Sequence, residues 1–498
     1  MESYSTRKKV SAAEIQYSSK SMLDDFGRVF YYKDRVFRAI SNNKIDYCLQ
    51  LLESPLFKEL ASRGLVAKTW IADFYISDYD LVLEHEKLTQ TLQHEWSFSM
   101  LKDAALSVLE VQRICNEFGF ELKDAHTFNV LFRGIQPVWV DVGSIVKKSH
   151  VNVCEWIAYD EFLASFVIPL LFWARNMSYI ARKLLESNFH RIVTIPDQSF
   201  TSSGLLPLLF PDSKSYVFRF RQQKIFATKI RKHWISVITD EIQNRFQNIT
   251  GRRTQLFTYR SDSVESRTLS SYIPFNKVSA LLHSMVQPLQ ETIWSGYHTR
   301  FYSEDGSFVP SKRFHRIVEI VQGFEGQVTS LIDLAGNEGY LSRLIASRTS
   351  IPKLILADYD ENAIDSAYRT LKLSDEQRIH TVLLNFMFTP DVATTCRRLK
   401  CDIVLALAVT HHLILSAGFS LQCILERLTM FSNRYVMIEF MPLGLWSETS
   451  TNNQQVPDWY TINWFREHFN RYFSLLLEEQ VESNRIIFVG ELKFKECQ

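Results

Sequence analysis

"LIDLAGNEGYLSRLI", residues 331–345, decides the fold of the C-terminal part of this chain. An apolar run that reads as a buried strand reaches Leu334. The chain then turns through Ala335-Gly336-Asn337-Glu338-Gly339, and an amphipathic run with helical spacing follows. A strand that ends and turns sharply into a helix needs unusual backbone dihedrals. Glycine permits these, and it also lets a ligand approach the main chain closely. Asn337 suits the same turn because Asn tolerates left-handed conformations. Asp333 stands at the strand end, where its carboxylate can accept bonds from the turn or from a cationic ligand.

About 20 residues on, "LILADYDENAI" (354–364) carries an apolar run to Asp358, an acidic residue placed to hold both hydroxyls of a ribose. Asp360 is better placed to cap the next helix or line a pocket. A third run, "VLLNFMF" (382–388), brings Asn385 to where it can hydrogen-bond an adenine edge, with Phe386 or Met387 packing on the ring. The glycine pattern fits a dinucleotide fingerprint poorly. It also lacks the GxxxxGK[ST] phosphate loop, since no Lys-Ser or Lys-Thr follows Gly339. A nucleoside with a positive rather than a phosphorylated tail fits the acidic lining better. Strand candidates at 329–335, 353–358, 380–384, 402–407 and 434–440, separated by helical stretches, read as an α/β unit with a parallel sheet. "FSLLLEEQ" (473–480) and "NRIIFVGELKF" (484–494) read as a closing antiparallel hairpin that turns near Glu482-Ser483.

These two motifs, together with "DIVLALAVTHHLI" (402–414) and "RYVMIEFMP" (434–442), resemble successive motifs of class I S-adenosylmethionine-dependent methyltransferases. "LALAVTHHL" and "MIEFMP" look most like the branch that includes host-specific nodulation proteins. The resemblance covers about 325–495. It implies a doubly wound α/β domain with a seven-stranded sheet ending in a reversed hairpin, and S-adenosylmethionine as methyl donor. It also implies that Asp333, Gly336 and Gly339 border the methionine part of that molecule. Ala335 and Asn337 stand there where many relatives carry glycine. Asp358, with Tyr359 beside it, is implied at the ribose, and Asn385 and Phe386 at the adenine.

Methyl transfer needs a nucleophile aligned against the methyl, exclusion of water and in some cases a base. Thr410, His411 and His412 follow the fourth strand, at the end where α/β sheets bind ligands, and histidine suits proton removal near neutrality. Glu439 ends the fifth strand on the same side, placed to orient a histidine or bind the acceptor. Trp294, Tyr297 and His298 are candidates for a substrate-contacting lid. Adjacent histidines diverge in direction and no third ligand lies at zinc-like spacing, so no catalytic metal is expected.

The whole chain has 498 residues, 46% of them hydrophobic and 13% aromatic, enough for two or three domains. Lys+Arg 56 against Asp+Glu 55 gives a net charge of +1, without a nucleic-acid signature, which favours a small-molecule acceptor. The 7 Cys show no CxxC spacing and read as reduced thiols of a cytoplasmic protein. "DEFLASFVIPLLFWARNMSYI" (160–180) is too short between Glu161 and Arg175 to span a membrane, and reads as a buried helix. The expected organisation is a flexible leader at 1–25, an α+β accessory domain at 26–193, a mostly helical connecting and substrate-contacting region at 194–324, and the S-adenosylmethionine-binding domain at 325–498. Within it we expect a hairpin at 28–41 around Lys33-Asp34, strand pieces in 70–87, a helix at 99–120 and helical character over 155–190 and 219–247. Residues 194–215 read as a boundary or exposed loop, and 251–277 as a connecting or site-covering segment.

"LKDAHTFNVLFRGIQPVWVDVGS" (122–144) resembles the catalytic loop and metal-binding segment of protein-kinase-like phosphotransferases. Asp124 would match the catalytic aspartate, and Asn129 and Asp141 the metal ligands. Leu122-Lys123 replaces the usual His-Arg, and "DDFGRVFYYKDRVFRAI" (24–40) holds no Gly-rich loop. The N-terminal half therefore reads as a kinase-derived scaffold without phosphoryl transfer, which can shape the acceptor pocket or an oligomer contact. A purely structural reading has Asn129 and Asp141 stabilise turns between paired strands. Two rival functions remain open on sequence: a kinase-like phosphotransferase carrying an inert methyltransferase-like domain, and a nonenzymatic interaction protein.

Overall fold

A computed structural model describes residues 8–148 except 19, 20 and 23, then 156–186, 275–288, 292, 294, 309–445 except 375, and 455–493. The expected features at 194–215 and 219–247 lie outside the described residues, as does the segment expected at 251–277 up to residue 274; its last three residues open a helix, Phe275–Ser284. The chain divides into two units, and each is discontinuous in sequence. Unit 1 comprises Met1–Lys87, Leu101–Val130 and Val138–Pro288, and unit 2 comprises Leu88–Met100, Leu131–Pro137 and Leu289–Gln498.

Unit 2 is built on seven strands: β1 (Ser330–Leu334), β2 (Lys353–Asp358), β3 (Ile379–Leu383), β4 (Cys401–Ala406), β5 (Ser432–Phe440), β6 (Phe473–Glu482) and β7 (Arg485–Leu492). Their order across the sheet is β3-β2-β1-β4-β5-β7-β6. The first five run parallel, and β7 returns antiparallel between β5 and β6. Unit 2 thus has the mixed sheet with a terminal reversed hairpin that the class I methyltransferase resemblance implied.

The seven helices of this sheet's framework are α1 (Lys312–Gln322), α2 (Tyr340–Arg348), α3 (Glu361–Ser374), α4 (Val392–Leu399), α5 (Thr410–Leu415), α6 (Leu421–Phe431) and α7 (Ile462–Tyr472). Every residue of β1 is buried, as expected of a central strand covered on both faces. Ile332, Leu334, Ile355, Ala357, Val404 and Ala406 share one core with Ile424, Leu425 and Leu428 of α6. Side chains alternate across a strand, so Asp333 projects from the other face, as the one ionisable residue of this buried strand.

Two pieces of the N-terminal half belong to unit 2 because its surface satisfies their polar groups. Ser99 donates to the buried Asp365 through both its amide, at 2.7 Å, and its hydroxyl, at 3.0 Å. The Tyr368 hydroxyl donates to the Ile135 carbonyl at 2.9 Å, and Arg398 forms a buried ion pair with Glu95. Domain boundaries drawn along the sequence do not capture this.

Unit 1 holds a five-stranded antiparallel sheet formed by Gln16–Tyr17, Gly27–Tyr32, Arg35–Ile40, Leu81–His85 and Thr69–Ile71, in that spatial order. The expected hairpin is present. Lys33 and Asp34 have φ of 46° and 61°, the pair of positive values a two-residue turn needs. Phe30, Phe37 and Phe74 fill one face, with ring centroids 5.4 and 5.0 Å apart for successive pairs. Part of the leader expected at 1–25 is folded: Lys8–Val10 pairs parallel with Phe74–Ile76, and Ser11 and Glu14 form a capping box around a short 3-10 turn. The helix Phe98–Glu117 belongs to this unit from Leu101 onward, and after a π turn at Leu163–Val167 helices cover Ile168–Ala174 and Ser178–Glu186. Among the described residues no helix is long and apolar enough to cross a membrane.

Candidate functional site

A cavity of about 460 Å³ opens in unit 2 beyond the carboxyl ends of β1, β2, β3 and β4, the position at which open α/β sheets bind ligands. The turn after β1 forms its floor. Ala335 and Asn337 adopt φ of 60° and 52°, and Gly339 at 71° leads into α2. Close packing requires glycine at both positions, and the dihedral angle requires it at Gly339 as well. A Cβ on Gly336 would lie 2.5 Å from Leu356 Cδ1 and 2.7 Å from Asp333 Oδ2, and one on Gly339 would collide with Leu356 Cδ2.

Two carboxylates face this floor. Asp333 is 3% exposed and accepts a hydrogen bond from the Ser342 hydroxyl at 2.7 Å. Burial pushes its carboxyl up to about 6, against the pull of the Ser342 hydroxyl, and the Asp358 charge adds to the rise. Asp358 is also raised by burial, although backbone amides oppose the shift. It accepts from Asn337 N at 2.8 Å and Asp360 N at 2.9 Å. Asp360 caps α3, as its position in the sequence suggested, by accepting from Asn362 N at 2.9 Å and Ala363 N at 3.1 Å.

The walls are apolar and aromatic. Phe388, 69% exposed, packs at 5.3 Å between ring centroids on Phe419, and both line the cavity. Asn385 lines it too. Its amide oxygen accepts from Met387 N at 3.1 Å and Phe388 N at 3.2 Å, which forms the turn and leaves the amide NH2 end for other partners. Trp294 donates its indole N–H to the Tyr359 hydroxyl at 2.7 Å and meets the His412 ring edge-to-face at 4.8 Å, so the three form one rim.

Of the residues expected from sequence, Trp294, Asp333, Ala335, Gly336, Asn337, Asp358, Tyr359, Asn385 and His412 line the cavity. Gly339 serves the turn beneath it. Phe386 is buried with the core cluster, and its neighbours Met387 and Phe388 take the cavity wall. Tyr297 and His298 lie outside the described residues.

The structure separates the two histidines. His412 is on the wall, with its pKa lowered by burial and then by the charge of Arg485. His411 is 4% exposed and does not line the cavity, and burial drives its pKa down to about 3. Its Nδ1 has no hydrogen-bond partner among the described residues.

Glu439 is fully buried and is not on the cavity wall. Arg313 grips its carboxylate through Nε and, at 2.9 Å, through Nη2, while Arg485 Nη1 donates at 2.8 Å and Ala408 N at 2.8 Å. Burial alone would raise its pKa, but the two guanidinium groups hold it below the ordinary value. Four donors on one carboxylate leave little capacity to take a proton or bind an acceptor. Arg313 itself lines the cavity. Sequence reasoning did not assign it to the site: "KRF" (312–314) also resembles the nodulation branch, but it lies on α1, upstream of the first motif, and nothing local ties it to the cavity.

In unit 1, Asp141 is bound by Arg38 Nη1 at 2.7 Å and accepts from Gly143 N at 3.2 Å, and Asp24 lies 3.6 Å from the same guanidinium. The main chain of Asp124 is bridged by Ser144: its carbonyl accepts from Ser144 Oγ at 3.1 Å and its amide donates back at 3.4 Å. Asn129 acts through its backbone in the turn, donating to His126 O at 3.1 Å and accepting from Val140 N at 2.9 Å. Among the described residues, no group of three or more His, Cys, Asp or Glu side chains is arranged to hold a metal ion.

No protein-family model matches the chain. A nodulation protein, NoeA of Rhizobium meliloti (strain 1021), is 25% identical over 449 residues, 85% of this chain and 84% of that protein. Among solved structures, a magnesium protoporphyrin IX methyltransferase from Synechocystis PCC 6803 with bound SAM is 14% identical, with a TM-score of 0.28, over 36% of this chain and 79% of its own. The N-methyltransferase NodS from Bradyrhizobium japonicum WM9 is 8% identical, with a TM-score of 0.28, over 36% of this chain and 94% of its own. The kinase-like reading of unit 1 finds no support in these comparisons.

Proposed function

We propose that unit 2 binds S-adenosylmethionine and transfers its methyl group to a small-molecule acceptor. The observation that carries this reading is the cavity itself: two buried carboxylates, Asp333 and Asp358, face one space of about 460 Å³ at the carboxyl ends of the central strands. Buried carboxylates are costly without a positive partner, and a ligand with a cationic tail supplies one. The size is that of a small-molecule site. Asp358 keeps lone pairs for ribose hydroxyls beyond its two backbone bonds, and the Phe388 side of the wall suits a flat base. Arg313, with Nε and Nη2 occupied by Glu439, retains Nη1 for the carboxylate of an amino-acid tail.

When bound, S-adenosylmethionine supplies an electrophilic methyl group on a sulfonium. The chain's own residues orient the partners and exclude water. His412 receives the proton of the acceptor nucleophile, since its lowered pKa keeps the ring a free base at neutral pH. Trp294 and Tyr359 close the rim over it. The rival phosphotransferase reading is weakened by Arg38, which occupies the Asp141 carboxylate that a metal would need.

Calorimetry tests the reading. Adenosylmethionine and adenosylhomocysteine bind the wild-type protein, and Asp333→Ala or Asp358→Ala weakens both strongly. Unchanged affinity in both variants, each shown to be folded, refutes the site. Failure of the wild-type protein to bind either ligand favours an interaction protein.

A further inference from the structure

We propose that Glu439 is a positioning residue: its carboxylate holds Ala408 in a left-handed conformation and thereby aims the Val409–His412 turn into the cavity. Among the described residues of unit 2, three non-glycine residues have positive φ: Ala335 at 60°, Asn337 at 52° and Ala408 at 53°. All three line the same cavity. L-residues enter this region at a cost, and the conformation persists only where the surroundings hold it. For Asn337 the holder is visible, because its amide donates to Asp358 Oδ2 at 2.8 Å. Ala408 has no polar side chain to assist it, and its amide donates to Glu439 Oε2 at 2.8 Å.

The two tethers occupy matching places in the sheet. Leu334 pairs with Ala357, which sets Asp358 beside the turn leaving β1. Ala406 pairs with Ile438, which sets Glu439 beside the turn leaving β4. In each case a carboxylate from the outer neighbouring strand captures an amide of the turn that leaves a central strand. Glu439 also grips the far side of its turn, since the Thr410 hydroxyl donates to the Glu439 carbonyl at 2.5 Å. Arg313 and Arg485 fix the carboxylate from two other elements, so the tether is rigid. A mere charge-balancing role for Glu439 explains the arginines but not the bond to a left-handed amide.

The functional consequence rests on the reading of the cavity as the methyl-transfer site; the tether does not. The test is a double-mutant cycle of wild type, Glu439→Gln, Ala408→Gly and the double variant, read by adenosylhomocysteine calorimetry and by urea midpoint. Glutamine loses charge and weakens the tether, and affinity should fall by about tenfold. Glycine occupies the left-handed region without a holder, so adding Ala408→Gly should bring affinity back to within about threefold of wild type. Effects that simply multiply, with no rescue, overturn the proposal. If Glu439→Gln fails to fold, Glu439→Asp replaces it: the charge between the arginines is kept while the oxygen withdraws from Ala408 N, and the same loss and rescue are expected. If even the wild-type protein binds no adenosylhomocysteine, the cofactor reading fails separately and the urea midpoints decide the tether. Rescue of the midpoint by glycine upholds it, and additivity overturns it.

Discussion

Lowering the pH from 7 to 5 should weaken ligand binding by about tenfold through a single carboxyl group, Asp333. Burial pushes this group up to about 6 from its ordinary 3.8. The ammonium group of the ligand's amino-acid tail, which adenosylhomocysteine shares with adenosylmethionine, pairs with the ionised form. With a pKa near 6, the group is about nine-tenths ionised at pH 7 and about one-tenth ionised at pH 5, a difference of about 1.4 kcal/mol in binding. Asp358 is also raised by burial, so its titration can only steepen the trend.

The sign for stability runs the other way. A carboxyl raised on folding contributes stability that is complete below its unfolded pKa and lost as pH rises through the folded one. For Asp333 that window runs from 3.8 to about 6. The contribution lost from the ligand-free protein is on the order of 3 kcal/mol. Ligand binding therefore stabilises the protein more at pH 7 than at pH 5. Calorimetry of adenosylhomocysteine at both pH values, in two buffers of different ionisation heat, reads the affinity and counts the proton released near pH 5. Asp333→Asn keeps the shape and the partner for Ser342 but should flatten the dependence by the part that Asp333 carries. An affinity that is flat between pH 5 and 7 in wild type, or an equally steep slope in the Asn variant, refutes the assignment of Asp333 to the ligand's positive charge.

Gly339→Ala places a Cβ at φ 71° against the Leu356 side chain and should cost about 1–3 kcal/mol, read as a lowered urea midpoint with an unchanged m-value. Diethyl pyrocarbonate should modify His412, on the cavity wall, and spare His411, and adenosylhomocysteine should slow the His412 reaction. Mass-spectrometric mapping checks both statements, and His411 reacting as fast as His412 would contradict the assigned orientation.

Much of the unit 2 sheet was legible because parallel strands covered on both faces read as continuous apolar runs. The run expected at 353–358 is β2, and those at 380–384 and 402–407 fall within a residue of β3 and β4. Asp333 and Asp358 stood out as acids interrupting such runs at their carboxyl ends, and alternation along a strand settles which face each takes. The chemistry of the turn was equally local: glycine at 336 and 339 answers to a backbone that passes within van der Waals reach of Leu356.

What local pattern could not supply depends on distant partners. Successive helical residues diverge by about 100°, so only the packing of α5 decided that His412 faces the cavity and His411 the interior. Glu439 looked like an acid free at a strand end. The fold brings Arg313 from α1 and Arg485 from β7 onto it and turns it toward Ala408 N. Asp141 is met in the same way by Arg38, about 100 residues earlier, and residues 88–100 and 131–137 join unit 2 through bonds to α3 and α4. Periodicity and turn chemistry act between near neighbours in the chain. The charge state of a buried acid and the direction of a side chain are set by whichever groups the completed fold brings within a few ångströms.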